Sequence, residues 1–131
     1  MNFISRDTDY AVRALMFMAK GEKGEIITVD EIVRREKLPE RFLRRILQKL
    51  AKNDILVSYK GKDGGFSLSK DADRIRITDI INIFQGHVDF AKCLLKGRKC
   101  PNTNSCSFRK KLKDIGAYVN KELGKITIGS L

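Results

Sequence analysis

The sequence predicts a mainly α-helical protein with a small β-hairpin and a long C-terminal helix. Three observations predict it. Helix start and stop signals recur along the chain, one run rich in strand-forming residues is followed by a glycine-rich turn, and an apolar stripe at helical spacing occupies residues 108 to 123. With 131 residues and 42% apolar content, the chain is long enough to bury one substantial core.

The elements follow in order. From Thr8 to Lys20 the residues Ala11, Val12, Leu15, Met16 and Ala19 repeat at helical spacing, with Thr8 placed to cap the start and Gly21 to close the end. Thr28-Val29-Asp30-Glu31 reads as a capping box that opens a short second helix through Arg35. Leu38-Pro39-Glu40 breaks it and starts a third helix running to about Lys52, with Pro39 at the first helical position. Ile55 to Lys60 is rich in strand formers, Gly61 to Gly65 is a turn, and Phe66-Ser67-Leu68 returns as the second strand. Thr78 caps a helix from Asp79 to Gln85 carrying Ile80, Ile81, Ile83 and Phe84, and Gly86 ends it. Residues 87 to 106 have no clear period. Ser107 then caps a last helix to Leu123 with the stripe Phe108, Leu112, Ile115, Val119 and Leu123, followed by the short tail Ile126-Thr127-Ile128. The chain therefore divides into residues 1–86, a cysteine-bearing loop at 87–106, and a helix with its tail at 107–131.

Composition narrows the function. The longest apolar run, Ala14 to Ala19, is far short of the roughly 20 residues that span a bilayer, so no membrane partner is expected. Asp7 and Asp9 interrupt the region where a secretory signal would begin, which points to the cytoplasm. The 27 basic against 16 acidic residues leave a net charge of +11, the balance of a protein with a polyanionic partner. That excess sits in two blocks. Residues 34 to 62 hold ten basic and three acidic residues, and residues 92 to 113 hold eight basic and no acidic ones.

The first block explains itself on a helix. Phe42, Leu43, Ile46, Leu47 and Leu50 fall within one arc of the third helix, and Arg41, Arg44, Arg45, Gln48, Lys49 and Lys52 fill the opposite arc. A basic stripe on one helix is most often a plain solvated face. Here it follows a capped short helix and a proline-marked turn, and it precedes a hairpin tipped by Lys60 and Lys62. Together these describe a winged helix-turn-helix, in which the second helix enters the major groove of double-stranded DNA. Arg41, Arg44 and Arg45 are the expected base readers, because a guanidinium can fork onto guanine O6 and N7, and Gln48, Lys49, Lys60 and Lys62 complete the expected DNA contacts.

Thr8-Asp9-Tyr10-Ala11-Val12-Arg13-Ala14-Leu15, Phe42-Leu43 with Ile46-Leu47 and Leu50, Ser58-Tyr59-Lys60-Gly61, Gly64-Gly65-Phe66-Ser67-Leu68 and Ile77-Thr78-Asp79-Ile80-Ile81 resemble the Rrf family of bacterial regulators. The resemblance covers nearly the whole chain. It implies a homodimeric transcription regulator that binds a near-palindromic operator through two winged helices joined by the C-terminal helix. The dimer also follows from physics, since a stripe on residues 108 to 123 would be poorly covered in so short a monomer, unless it packs on the first helix of its own chain. Lys60 stands where many members carry arginine, which keeps the charge and loses the fork. Arg44 stands where some cluster-bearing members are acidic.

Cys93, Cys100 and Cys106 are the only cysteines and fall within 14 residues, too few for a disulfide scaffold and clustered as metal ligands are. Iron–sulfur clusters are held chiefly by cysteine thiolates, and the surrounding lysines and arginines would offset the negative charge of such a centre. The spacing is not the paired C-x-x-C of a zinc site, while free redox thiols and unligated cysteines remain open readings. By resemblance, this is the cluster loop of IscR-like and NsrR-like members, holding a 2Fe–2S or 4Fe–4S cluster. IscR-like members have a histidine three residues after the third cysteine, where this chain has Arg109. NsrR-like members use an acidic residue of the partner subunit, a position matched here by Asp9, and His87 is the other candidate fourth ligand. The expected function is thus a DNA-binding regulator that senses iron–sulfur status, redox state or nitric oxide. The alternative is a metal-free CymR-like repressor that answers to a metabolite or partner protein. A thiol-dependent enzyme is not expected, because His87 has no evident orienting partner.

Overall fold

The structure is a computed structural model and describes residues 3–90 and 105–131. Within these residues the chain forms helices α1 (Arg6–Ala19), α2 (Val29–Glu36) and α3 (Glu40–Lys52), strands β1 (Leu56–Tyr59) and β2 (Gly65–Leu68), and helices α4 (Ile77–Phe84) and α5 (Ser107–Leu123), with 3-10 turns at Ala72–Arg74 and Ile128–Ser130. Mainly α with a small β-hairpin is therefore the fold class. β1 and β2 pair antiparallel from Leu56 opposite Leu68 to Tyr59 opposite Gly65, and an isolated bridge between Ile27 and Phe66 extends the ribbon.

The core is built by α1, α2, α3 and α4 around the base of the hairpin. Ala11, Ala14 and Leu15 of α1, Ile32 of α2, Leu43, Leu47 and Leu50 of α3, and Ile80 of α4 are fully buried, and Leu56 and Phe66 close the hairpin side. The capping box of α2 is present: Glu31 N–H donates to Thr28 Oγ1 at 3.2 Å and Thr28 N–H donates to a Glu31 carboxylate oxygen at 3.3 Å. Lys37, in the left-handed region at φ 54°, ends α2 and donates its N–H to the Val33 carbonyl.

Several ends differ from expectation because caps form where the chain leaves extended geometry. α1 begins two residues before Thr8: Ser5 is the cap, its Oγ accepting the Thr8 N–H at 3.2 Å, and Thr8 is buried instead. Pro39 occupies the cap position of α3 rather than its first turn, with extended backbone at ψ 123°. α4 starts at Ile77, with the Asp79 carboxylate accepting the Arg76 N–H, so Thr78 lies inside the helix. Cys106, not Ser107, caps α5.

α5 is the outlier in packing. Its one buried residue is Gly116, which lies against Phe90, while Phe108, Ile115 and Tyr118 are 69%, 52% and 65% exposed. The tail returns to the winged domain. Ile77 N–H donates to the Ile126 carbonyl and Ile128 N–H to the Ile75 carbonyl, each at 2.9 Å, and Ile128 is buried. Among the described residues no helix is long and apolar enough to cross a membrane.

Candidate nucleic-acid interface

α3 stands on the core through Leu43, Ile46, Leu47 and Leu50, which leaves Arg41, Arg44, Arg45, Gln48, Lys49 and Lys52 exposed together on its outer side. The sequence placed Phe42 in the apolar arc. It is 41% exposed instead, at the margin of that arc, and the Arg45 guanidinium lies 5.3 Å from its ring centroid. The ring thus supports a cation rather than the core.

The cationic residues differ in what holds them. Arg44 donates from both Nε (3.2 Å) and Nη2 (2.9 Å) to Glu40 Oε1, one helical turn earlier. Arg45 donates from Nη2 to both carboxylate oxygens of Asp7 in α1, at 3.3 and 3.4 Å. Lys49 Nζ lies 5.3 Å from the ring centroid of Phe84 at the end of α4. Arg41, Gln48 and Lys52 have no side-chain partner among the described residues, so they are the least committed donors of the face. All these groups are exposed, and the ion pairs among them are of the weak, solvent-screened kind.

The hairpin turn carries Lys60 and Lys62, both exposed. Gly61 adopts φ 103°, and a Cβ at Gly64 would collide with the carbonyls of Tyr59 and Gly61, so the tip is as thin as backbone allows. Such a tip can approach a sugar-phosphate backbone closely.

Cys93 and Cys100 lie outside the described residues. Cys106 is described: half-buried at the start of α5, its Sγ accepts the Arg109 N–H at 3.5 Å. A main-chain N–H aimed at sulfur, at the N-terminus of a helix, is a setting that suits an anionic thiolate-ligated cluster, so the residue fits the group the sequence implies. Asp9 is half-exposed and paired with Arg13 Nε at 3.2 Å, beside a shallow cavity lined by Ile4, Ser5, Arg6 and Tyr10. His87 is placed away from Cys106 in its own chain. Its Nε2 lies 3.0 Å from Asn120 Nδ2, and Asn120 is roughly 20 Å along α5 from Cys106 at about 1.5 Å rise per residue.

Sequence reasoning missed Asp7, Glu40 and Gln85. Glu40 and Arg44 are four residues apart, a spacing that was readable; Asp7 and Gln85 act across 38 or more residues, and no local pattern announces them.

Comparison with known proteins identifies the family and the fold. The model of the Rrf2 family, described as an iron-dependent transcriptional regulator, matches residues 4–131. An HTH-type transcriptional regulator of Aquifex aeolicus is 33% identical over 124 residues, covering 93% of this chain and 85% of the relative. The HTH-type transcriptional regulator IscR of Cronobacter sakazakii is 28% identical over 122 residues, covering 93% of this chain and 75% of that one. Among solved structures, CymR, the global cysteine regulator of B. subtilis, superposes with a TM-score of 0.77 at 23% identity, covering 99% of this chain and 95% of that one.

Proposed function

Because this chain belongs to the Rrf2 family of transcriptional regulators, we propose that it acts as a homodimer that reads a near-palindromic operator with α3 and the hairpin wing, and that Cys93, Cys100 and Cys106 hold an iron–sulfur cluster whose presence sets operator affinity. The observation that carries the DNA reading is the exposed cationic ridge of α3, standing on a buried apolar face beside a thin, lysine-tipped turn. Arg41, Arg44 and Arg45 would meet base edges, Gln48 and Lys49 the neighbouring groove, and Lys60 and Lys62 the flanking backbone. The uncovered residues Phe108, Ile115 and Tyr118 support pairing through α5, which would set the spacing of the two α3 helices.

When bound, the cluster would supply a centre that responds to iron supply, oxidation or nitric oxide. The family description and the N–H to sulfur contact at Cys106 support this reading; the fourth ligand is proposed, on the resemblance to NsrR-like members alone, to be Asp9 of the partner subunit. Sensing requires a differential effect: the loaded cysteine segment must favour one arrangement of the two winged domains over the other.

The test is a mobility-shift titration, at fixed salt, on a duplex recovered by selection from a randomised pool. Reconstituted and cluster-free protein are expected to differ several-fold in affinity. Equal affinities overturn the sensing claim, and failure of both forms to select any duplex overturns the DNA reading. Arg109, at the position where IscR-like members have histidine, favours a second reading in which the regulator is metal-free. A colourless, iron-free sample from anaerobic purification selects that reading.

A further inference from the structure

Arg45 is the arginine of α3 that is tied to another element, and its partner is a carboxylate. The two oxygens of Asp7 lie 3.3 and 3.4 Å from Nη2. To a guanidinium they present the charge sign and acceptor pair that a DNA phosphate presents, so DNA must compete with them for Nη2.

Asp7 is held in place by a network whose protons can all be assigned. It lies in the first turn of α1, between Ser5 and Thr8, and that turn is pinned by Gln85 just beyond α4. The Phe3 carbonyl can only accept, so the Gln85 atom 2.9 Å from it is Nε2. Gln85 Oε1 then accepts from the Ser5 N–H and from Thr8 Oγ1, each at 2.8 Å. With the Thr8 hydroxyl proton committed to Gln85, Ser5 Oγ donates to Thr8 Oγ1 across 2.9 Å while accepting the Thr8 N–H. Thr8 is 1% exposed, so water does not compete for its bonds. One side chain thereby fixes three points of the segment that carries Asp7.

We propose that Asp7 is an intramolecular competitor of DNA for Arg45 and that Gln85 is the positioning residue that keeps it there, so that the clasp between α1 and α4 limits how much of the cationic face of α3 is free. This rests on the reading of α3 as the DNA-contacting helix. It accounts for an acidic side chain of α1 being held against the cationic face of α3.

The experiment is a double-mutant cycle read by fluorescence anisotropy on the selected operator duplex and on a random-sequence duplex of equal length, at one salt concentration. Asp7→Asn is expected to bind roughly two- to fivefold more tightly, the fold-change an exposed ion pair of ordinary strength is worth. In an Arg45→Ala background the same substitution should change affinity by less than about 1.5-fold, whereas a general loss of negative charge would act equally with or without Arg45. Gln85→Leu should act in the same direction and depend on Arg45 in the same way; if it does not fold, Thr8→Val replaces it. An unchanged affinity for Asp7→Asn, or a gain that survives removal of Arg45, overturns the inference. A Gln85 or Thr8 effect that does not depend on Arg45 overturns the positioning role. If Arg41→Ala and Arg45→Ala both leave DNA binding untouched, the reading of α3 itself falls; if they weaken it while Asp7→Asn does nothing, only the present inference falls.

Discussion

Replacing Ile115 by aspartate should convert the proposed dimer into monomers while leaving each chain folded. Ile115 is 52% exposed at the middle of the outward ridge of α5, between Phe108 and Tyr118. Half an isoleucine offers on the order of 80 Å² of apolar surface to a partner, and two-fold symmetry counts it twice, so about 160 Å² of burial is lost per dimer. At about 25 cal/mol per Å² this amounts to ~4 kcal/mol, or about three powers of ten in the dimer dissociation constant, before the cost of burying a carboxylate is added. The isolated chain loses little, because the position is half in water already and aspartate costs about 0.5 kcal/mol in helix propensity. Light scattering at micromolar concentration is expected to find the unaltered protein at twice 14.9 kDa and Ile115→Asp at 14.9 kDa, with matching far-ultraviolet circular dichroism. Affinity for a two-half-site operator should fall with the dimer. A folded Ile115→Asp variant that keeps the dimer mass and dissociation constant would show that the ridge is not the seam.

Three other substitutions probe separate links. Thr28→Ala removes the hydroxyl that accepts the Glu31 N–H and should lower stability by about 1 kcal/mol, seen as a melting point lower by several degrees; an unchanged melt would mean that water replaces the cap at no cost. Arg41→Ala should weaken the selected operator by roughly 1 to 3 kcal/mol and relax preference at one base pair if the arginine forks onto guanine, whereas Lys60→Ala should weaken all duplexes alike and lower the salt slope by about one; the reverse pattern would exchange their roles. Cys106→Ser should lower the iron and sulfide bound per chain after anaerobic reconstitution without altering the melt of the cluster-free protein, and undiminished iron would remove Cys106 from the ligand set.

What could be read from the chain alone was whatever is decided within a few residues. The capping box at Thr28, the amphipathic pattern that buries Leu43, Ile46, Leu47 and Leu50, the glycines of the wing and the clustering of the three cysteines all depend on local spacing, and the helices and the hairpin lie where that spacing put them. Such signals are local because a helix or hairpin satisfies its backbone groups largely from its own neighbourhood. Tertiary packing decided the rest. It exposed Phe42 under Arg45, moved the cap of α1 to Ser5 with Thr8 buried against Gln85, seated Ile128 in the core, and held His87 beside Asn120 rather than beside Cys106. Most consequentially, it set Asp7 against Arg45, 38 residues apart. Periodicity marks which face of a helix is polar, but which side chain from another element comes to lie against that face depends on how the helices cross, and that is a property of the assembled core.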